Sequence, residues 1–298
     1  MKKIIFLVII VAIGFGVYYF TKSPVDNVDV NVSQNIATTT NNTASSTTVV
    51  DKTKTVIGKS VQGSDIVAYH FGEGANEVIF VGGIHGGYAW NTALLAYEAM
   101  DYFKANVTSI PANIKVTIIP VLNPDGLNKV VGTSSAFVSS NVSKSQEVVV
   151  SGRYNANQVD LNRNFACDWQ STGKWQNKTV SGGTEAFSEP ETLALKNYVE
   201  TQNPKAVVAW YSAAGGVYSS NCHNGILATT TALTSAYAKA SGYTANEDFD
   251  FYETTGDMTN WLAKIKIPAI SVLLATHDST EWSKNKAGIE AILKYIAK

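Results

Sequence analysis

The sequence predicts an α/β domain built on a mixed, mainly parallel sheet with helices on both faces. Three observations point there. Short apolar runs alternate with helix-period segments through most of the chain from residue 65 onward. Residues 206–210, Ala-Val-Val-Ala-Trp, are apolar without interruption, as in a strand covered on both sides. The C-terminal segment reads as strand (269–274), loop (275–280) and helix (281–296).

The earlier elements follow in order. Residues 65–70 and 77–81 are apolar-rich runs split by Gly72-Glu73-Gly74, which predicts two strands joined by a tight turn. The second leads into Gly82-Gly83-Ile84-His85-Gly86-Gly87, a loop free to place backbone and imidazole closely. Asn91 is positioned to cap a helix whose apolar residues Leu94, Leu95, Ala99 and Tyr102 recur at helical spacing. Residues 115–121 form the next expected strand, ended by the turn Asn123-Pro124-Asp125-Gly126. Ser188 is the expected cap of a second helix, with Glu191 three residues later and Leu193, Leu195 and Tyr198 as packing groups. A strand ending at Tyr211 and a helix over 226–240 follow, and no internal repeat is visible. In such a sheet, function is expected in loops beyond the carboxyl ends of strands. Those loops carry His85, Tyr211-Ser212 and Thr276-His277-Asp278.

Charge narrows the partners. The 298 residues include 23 basic and 24 acidic side chains, and no basic block lies outside the first three positions. Nucleic acid is therefore not an expected partner, since phosphate binding leaves a positive patch.

The chain opens Met1-Lys2-Lys3, and residues 4–20 are apolar apart from glycines and tyrosines. At 1.5 Å per residue this run covers about 26 Å, near the lower limit for crossing the hydrocarbon layer. The expectation is a single membrane-anchoring helix at 1–21, with a cleaved signal peptide and a secreted product as the alternative. A buried core helix is a third reading. Lys2 and Lys3 predict an inside N-terminus and a domain on the extracytoplasmic side. Residues 22–53, rich in Ser, Thr and Asn, read as a flexible spacer, an edge strand near 28–32 being the alternative. Residues 54–298 are the expected folded domain. Two cysteines, Cys167 and Cys222, in an oxidising compartment predict one disulfide.

Several separated motifs together resemble the M14 family of zinc carboxypeptidases. The segment from Gly82 to Asn91 resembles that family's first zinc-ligand loop, and Asp160-Leu161-Asn162-Arg163-Asn164-Phe165 its grip on a terminal carboxylate. The segment Tyr252 to Trp261 resembles the tyrosine-bearing loop that closes over bound peptide, and Ile267-Pro268-Ala269 introduces the last catalytic strand. The resemblance spans about residues 55 to 298. It implies a zinc-carboxypeptidase-like fold and a metallopeptidase ancestry.

The departures from the family's pattern matter as much. The resemblance implies two histidines and a glutamate on zinc, and a second glutamate as general base. His85 matches the first histidine. The metal-binding glutamate falls at Ala89, the second histidine at Tyr211 and the general base at Leu273, so all three are lost. A lone imidazole cannot replace that set. No cofactor is therefore expected, with zinc in a site rebuilt from His85, Tyr211 and His277 as the alternative. His85 otherwise reads as a hydrogen-bonded loop residue. No catalytic group is retained on this reading except Tyr252.

The groups for holding peptide match better. The resemblance implies that Arg163 and Asn162 receive a carboxylate, that Arg153 supports the ligand beside it, and that Tyr252 covers it. For Arg163 the competing reading is a buried pair with Asp160, and for Tyr252 a surface aromatic. Thr259 falls at a position that contributes to side-chain choice in the family and carries no charge. The expected function is an extracytoplasmic carboxypeptidase-like pseudoenzyme that binds the C-terminus of a peptide or cell-wall peptide. An active zinc metallocarboxypeptidase is the alternative.

Overall fold

In the computed structural model, residues 53–298 are described. The expected anchor at 1–21 and nearly all of the expected spacer at 22–53 lie outside the described residues. In chain order the elements are β1 (Lys54–Lys59), β2 (Asp65–Phe71), β3 (Asn76–Val81), α1 (Trp90–Ala105), β4 (Ile114–Ile119), α2 (Pro124–Val131) and α3 (Gln146–Ser151). They continue with the hairpin β5 (Thr172–Trp175) and β6 (Lys178–Ser181), α4 (Pro190–Gln202), β7 (Ala206–Ser212), β8 (Gly216–Ser219) and α5 (Ala228–Ser241). The last four are β9 (Thr244–Asn246), α6 (Met258–Lys264), β10 (Ala269–Leu274) and α7 (Trp282–Ile296). No helix among the described residues is long and apolar enough to cross a membrane.

The main sheet has the order β1-β2-β4-β3-β7-β10-β8-β9. Its centre, β4-β3-β7-β10, is parallel. Towards the edges, β2 pairs antiparallel with β1 and β4, and β8 pairs antiparallel with β10 and parallel with β9. Successive strand residues supply two cores because their side chains alternate between faces. Val78, Phe80, Val208, Trp210, Ile270 and Val272 pack with Leu95 and Phe103 of α1, Tyr237 of α5 and Ile292 of α7. Ile79, Val81, Val207, Ala209 and Ala269 pack with Leu195 of α4 and Trp261 of α6. Tyr211 and Leu273 project on this second face, directly opposite each other in the β7–β10 register.

The structure corrects several local expectations. β2 and β3 are not paired with each other: β4 inserts between them. The turn instead touches the chain entering β4, where Gly74 N donates to the Ile114 carbonyl at 3.2 Å. A Cβ on Gly74 would lie 2.0 Å from Asn113 C, so the glycine permits a close approach rather than a hairpin. Asn91 is not a cap; Ala89 occupies that place without a side-chain bond. Asn123-Pro124-Asp125-Gly126 starts a helix instead of only ending a strand, because Asn123 accepts from Gly126 N at 2.8 Å and Pro124 opens the first turn. Glu189, not Ser188, is the residue before α4, since Pro190 opens that helix. Leu193 faces solvent, whereas Leu195 and Tyr198 are buried.

Candidate functional site

The parallel strands β3, β7 and β10 deliver three loops to one side of the sheet, and a cavity of about 700 Å³ lies beyond their ends. His85, Arg163, Tyr211, Tyr252, Leu273 and His277 all line it. It therefore sits where the strand pattern predicted function, and it gathers the residues singled out in the sequence.

A crossing of three glycines positions the floor. A Cβ on Gly86 would lie 2.5 Å from the Gly152 carbonyl oxygen, and one on Gly126 would lie 2.4 Å from the same atom. Side chains are excluded there, so the loops carrying His85 and Arg153 meet. Arg153 donates through Nε to Asp160 Oδ2 at 2.8 Å, and its Nη2 lies 2.8 Å from the same oxygen in an ion pair. Both partners are buried. Burial opposes charge on Asp160, but Arg153, with help from His85 and Arg163, holds its carboxyl well below the usual carboxylate range. Asp160 thus has Arg153 as its ion-pair partner, not Arg163. The Arg153 guanidinium also lies 4.5 Å from the Trp175 ring centroid and 5.6 Å from that of Tyr88.

His85 is 5% exposed. Its Nε2 lies 3.5 Å from Asp160 Oδ1, and neither ring nitrogen makes a hydrogen bond. The expectation of a hydrogen-bonded loop histidine is therefore corrected. Burial, reinforced by the Arg153 charge, pushes its pKa down to about 4 against the opposing pull of Asp160. The imidazole is neutral at pH 7.

Arg163 is 1% exposed. Its Nε and Nη2 donate to the Lys174 carbonyl at 3.1 and 2.7 Å, and Nη1 donates to the Asn162 carbonyl at 2.6 Å. These bonds fix the fork and leave the outer N–H groups for a ligand. Among the described residues no carboxylate forms an ion pair with it. The Tyr252 ring lies 5.8 Å from the guanidinium carbon. Asn162 has turned inward: its Nδ2 donates to Asp257 at 2.7 Å, while its Oδ1 accepts from Tyr211 Oη at 3.2 Å and Met258 N at 3.1 Å.

Across the cavity, Ser212 Oγ lies 3.0 Å from His277 Nδ1 and donates to Asn91 Oδ1 at 3.0 Å. Asn91 Nδ2 reaches the carbonyls of Thr276 and Ser279, so the residue expected to cap α1 ties α1 to the loop after β10. The ring centroids of Tyr88 and His277 are 4.6 Å apart. Burial lowers the His277 pKa. The disulfide Cys167–Cys222 is formed, with Cα atoms 6.1 Å apart. Gly256 N donates to the Cys167 carbonyl at 2.7 Å, and Gly256 immediately precedes the cavity-lining Asp257.

The donor set does not suit zinc. A catalytic zinc takes three protein ligands plus water. His85 offers an open nitrogen, but Ala89 and Leu273 have no donor atom. Tyr211 is a protonated phenol whose pKa burial raises well above 10, and its hydroxyl is committed to Asn162. His277 has its Nδ1 against Ser212. Among the described residues, the one group of three His, Cys, Asp or Glu donors within 4.8 Å of one another is Cys167, Asp168 and Cys222. Both of its sulfurs are spent in the disulfide.

Sequence reasoning missed Tyr88, Trp175 and Asp257. Trp175 sits in a four-residue strand too short to show periodicity. Asp257 was legible as the cap of α6, where it accepts from Asn260 N at 2.9 Å.

Residues 44–292 match the family model described as zinc carboxypeptidase, peptidase M14. The catalytic chain of human carboxypeptidase N is 27% identical over 182 residues, covering 57% of this chain and 37% of that protein. This chain thus spans well under half the length of that relative. Murein peptide amidase A of Vibrio campbellii is 28% identical over 234 residues, covering 74% of this chain and 79% of that protein. Among solved structures, bovine thrombin-activatable fibrinolysis inhibitor with tick carboxypeptidase inhibitor aligns with a TM-score of 0.63 at 16% identity, over 82% of this chain and 88% of that one. The murein-tripeptide amidase of Escherichia coli O157 aligns at 0.55 and 19%, over 82% and 92%. These two likenesses establish the fold alone. The family model covers the sheet, the glycine crossing and the cavity-lining segments, and the chain belongs to the zinc carboxypeptidase (M14) family.

Proposed function

We propose that this chain binds the C-terminus of a peptide or cell-wall peptide outside the cytoplasm without hydrolysing it. The observation that carries this reading is the contrast within one cavity. Arg163 is buried, fixed by backbone carbonyls and free of any carboxylate, beside Tyr252. The positions implied for water activation carry Ala89, Tyr211 and Leu273. A terminal carboxylate would receive the outer N–H groups of Arg163 as charge-assisted bonds. Tyr252 would close over it. Arg153, already bound to Asp160, would support the adjoining backbone through its remaining N–H donors. Asn162 acts through Asp257 and Tyr211 to hold the segment in place rather than as a free donor.

Such a site has no group to activate water or neutralise a tetrahedral oxyanion by metal chemistry. The relatives named for murein peptides support a cell-wall peptide as one ligand class. Anchoring by the N-terminal helix, with the domain on the extracytoplasmic side, is part of the same proposal and draws on the apolar run at 4–20 and the Cys167–Cys222 disulfide.

The open ring nitrogens of His85 favour one second reading, an active zinc enzyme with a rebuilt site. Calorimetry with matched acid and amide peptides tests the first reading. The acid should bind, the amide and Arg163→Ala should lose most of that affinity, and equal affinity for acid and amide would reject it. Stoichiometric zinc with metal-dependent release of a C-terminal residue would establish the second.

A further inference from the structure

Asn91, Ser212 and His277 form a hydrogen-bonded relay beside the cavity, and its first member fixes where each hydrogen lies. Asn91 is wholly buried, and its Nδ2 donates to the carbonyls of Thr276 and Ser279 at 2.8 and 2.9 Å. Carbonyls only accept, so the amide has one orientation and turns its Oδ1 to Ser212. Ser212 Oγ has a single hydrogen and donates it to that Oδ1 at 3.0 Å. Towards His277 Nδ1, also at 3.0 Å, the hydroxyl oxygen can therefore only accept. Nδ1 carries the hydrogen. Burial lowers the His277 pKa, opposed by Asp278 and helped by Arg153, so the ring is neutral at pH 7 and has one N–H. Nε2 is left with a bare lone pair.

This arrangement excludes one use of the pair and leaves another. Ser212 is not an activated nucleophile, because its hydrogen is directed to Asn91 and the imidazole donates to it instead of acting as its base. Among the described residues Nε2 has no hydrogen-bond partner, and His277 lines the cavity shared with Arg163. Nor, among those residues, does His277 belong to a group of three His, Cys, Asp or Glu donors within 4.8 Å of one another, as a metal would need. The Tyr88 ring centroid lies 4.6 Å from that of His277 and 5.6 Å from the Arg153 guanidinium carbon. One ring thus separates an acceptor from a donor. Those are the two partners that a peptide backbone needs for its N–H and its C=O.

Resting on the reading that a terminal carboxylate enters at Arg163, we infer that His277 Nε2 accepts a hydrogen bond from a backbone amide N–H of the same ligand, with Asn91 and Ser212 as positioning residues that set its tautomer. The ligand is then recognised by its backbone as well as by its carboxylate. Without Ser212 the neutral ring is free to carry its hydrogen on Nε2, where it would meet the ligand N–H donor to donor. The relay therefore selects which hydrogen-bonding group the ligand must present.

Two measurements on full-length protein in detergent test this. With isotopically labelled histidine, NMR of the ring nitrogens at pH 7 should show a protonated Nδ1 and a bare Nε2 for His277, identified by the signals that His277→Phe removes. In Ser212→Ala the hydrogen should move in part to Nε2. A protonated Nε2 in the unaltered protein, or unchanged shifts in Ser212→Ala, would sink the inference. Calorimetry compares acetyl-Ala-Ala-Ala with its three analogues in which one amide is replaced by an ester, so that one N–H is removed at a time and no cation is present. One ester should bind about tenfold more weakly to the unaltered protein. That penalty should vanish in His277→Phe, which keeps a ring against Tyr88, and should shrink in Ser212→Ala. Ester penalties that are the same in all three proteins, with C-terminal amidation still abolishing binding, would overturn the His277 contact and leave the carboxylate reading intact. Binding insensitive to amidation, or no binding at all, would overturn both.

Discussion

Arg153 closes on Asp160 through two nitrogens that meet a single carboxylate oxygen, each at 2.8 Å. The pair lies beneath the cavity, with Trp175 and Tyr88 against the guanidinium and His85 beside the carboxylate. Breaking one member leaves the other charged and buried, which typically costs about 3–5 kcal/mol. Arg153→Ala should therefore lower unfolding free energy by that order in denaturant titration, and Arg153→Met with Asp160→Asn should recover part of the loss. By contrast, Asp65→Asn at the exposed Lys59–Asp65 pair should cost at most about 1 kcal/mol. Similar losses at the two sites would reject the assigned role of the buried pair.

His85 gives the fold an acid limb. Its pKa is about 4 in the folded chain against 6.5 for the ordinary side chain. Between those values the unfolded chain binds the proton and the folded chain does not, so stability rises with pH across the window. The contribution is complete above about 6.5 and is lost as pH falls towards about 4, on the order of 3 kcal/mol in total. Burial also lowers His70 and His277, which add in the same direction. Asp160 acts in a lower window, below the ordinary carboxylate range. Chemical unfolding from pH 7 to pH 4 should show the slope, and His85→Gln should flatten it. An unchanged slope in the variant would assign the limb to other groups.

The central strands were legible because β3, β4, β7 and β10 are apolar runs long enough to declare themselves. Their order was not, because Gly72-Glu73-Gly74 carries the local chemistry of a turn whether or not the strands beside it pair. β5, β6, β8 and β9 have three or four residues each, too few for any periodicity to separate them from loop. The cavity was legible through the position of its loops after strands, which topology alone dictates. The partner of Asp160 was not. Arg163 is three residues from Asp160 and Arg153 seven, yet the more distant one pairs, because the carbonyls of Lys174 and Asn162 hold Arg163.

The disulfide braces the cavity wall between the segment after Arg163 and the segment after β8. It closes a sequence separation of 55 residues. Restricting an unfolded loop of that size stabilises a fold by about 2–4 kcal/mol. Cys167→Ala with Cys222→Ala should lower the midpoint of thermal unfolding accordingly. Protein purified without reductant should yield no alkylatable thiol until unfolded and reduced. Two reactive thiols in the folded protein would reject the bond.

Zinc affinity and hydrolysis should return in separate steps if the missing donors are what silences the site. Ala89 is buried at the start of α1 and Tyr211 at the end of β7, on two of the strand-end loops that meet around His85. Ala89→Glu with Tyr211→His would offer zinc three donors with His85, the number a catalytic site uses. The double variant should take up zinc stoichiometrically in equilibrium dialysis, while the unaltered protein should not. Losing the Tyr211 hydroxyl also removes its bond to Asn162, at a cost of about 1 kcal/mol. Hydrolysis should stay near background in the double variant, because no carboxylate is placed to take the proton from attacking water. Leu273 lines the cavity opposite Tyr211 in the β7–β10 register but is buried within the core cluster, so Leu273→Glu carries a desolvation cost, and the folded state of the variant is checked before turnover is read. Release of a C-terminal residue should rise only when all three substitutions are combined. Zinc uptake and turnover by the unaltered chain would instead mean that His85 already works with ligands other than the three restored here, and would overturn the binding-only reading.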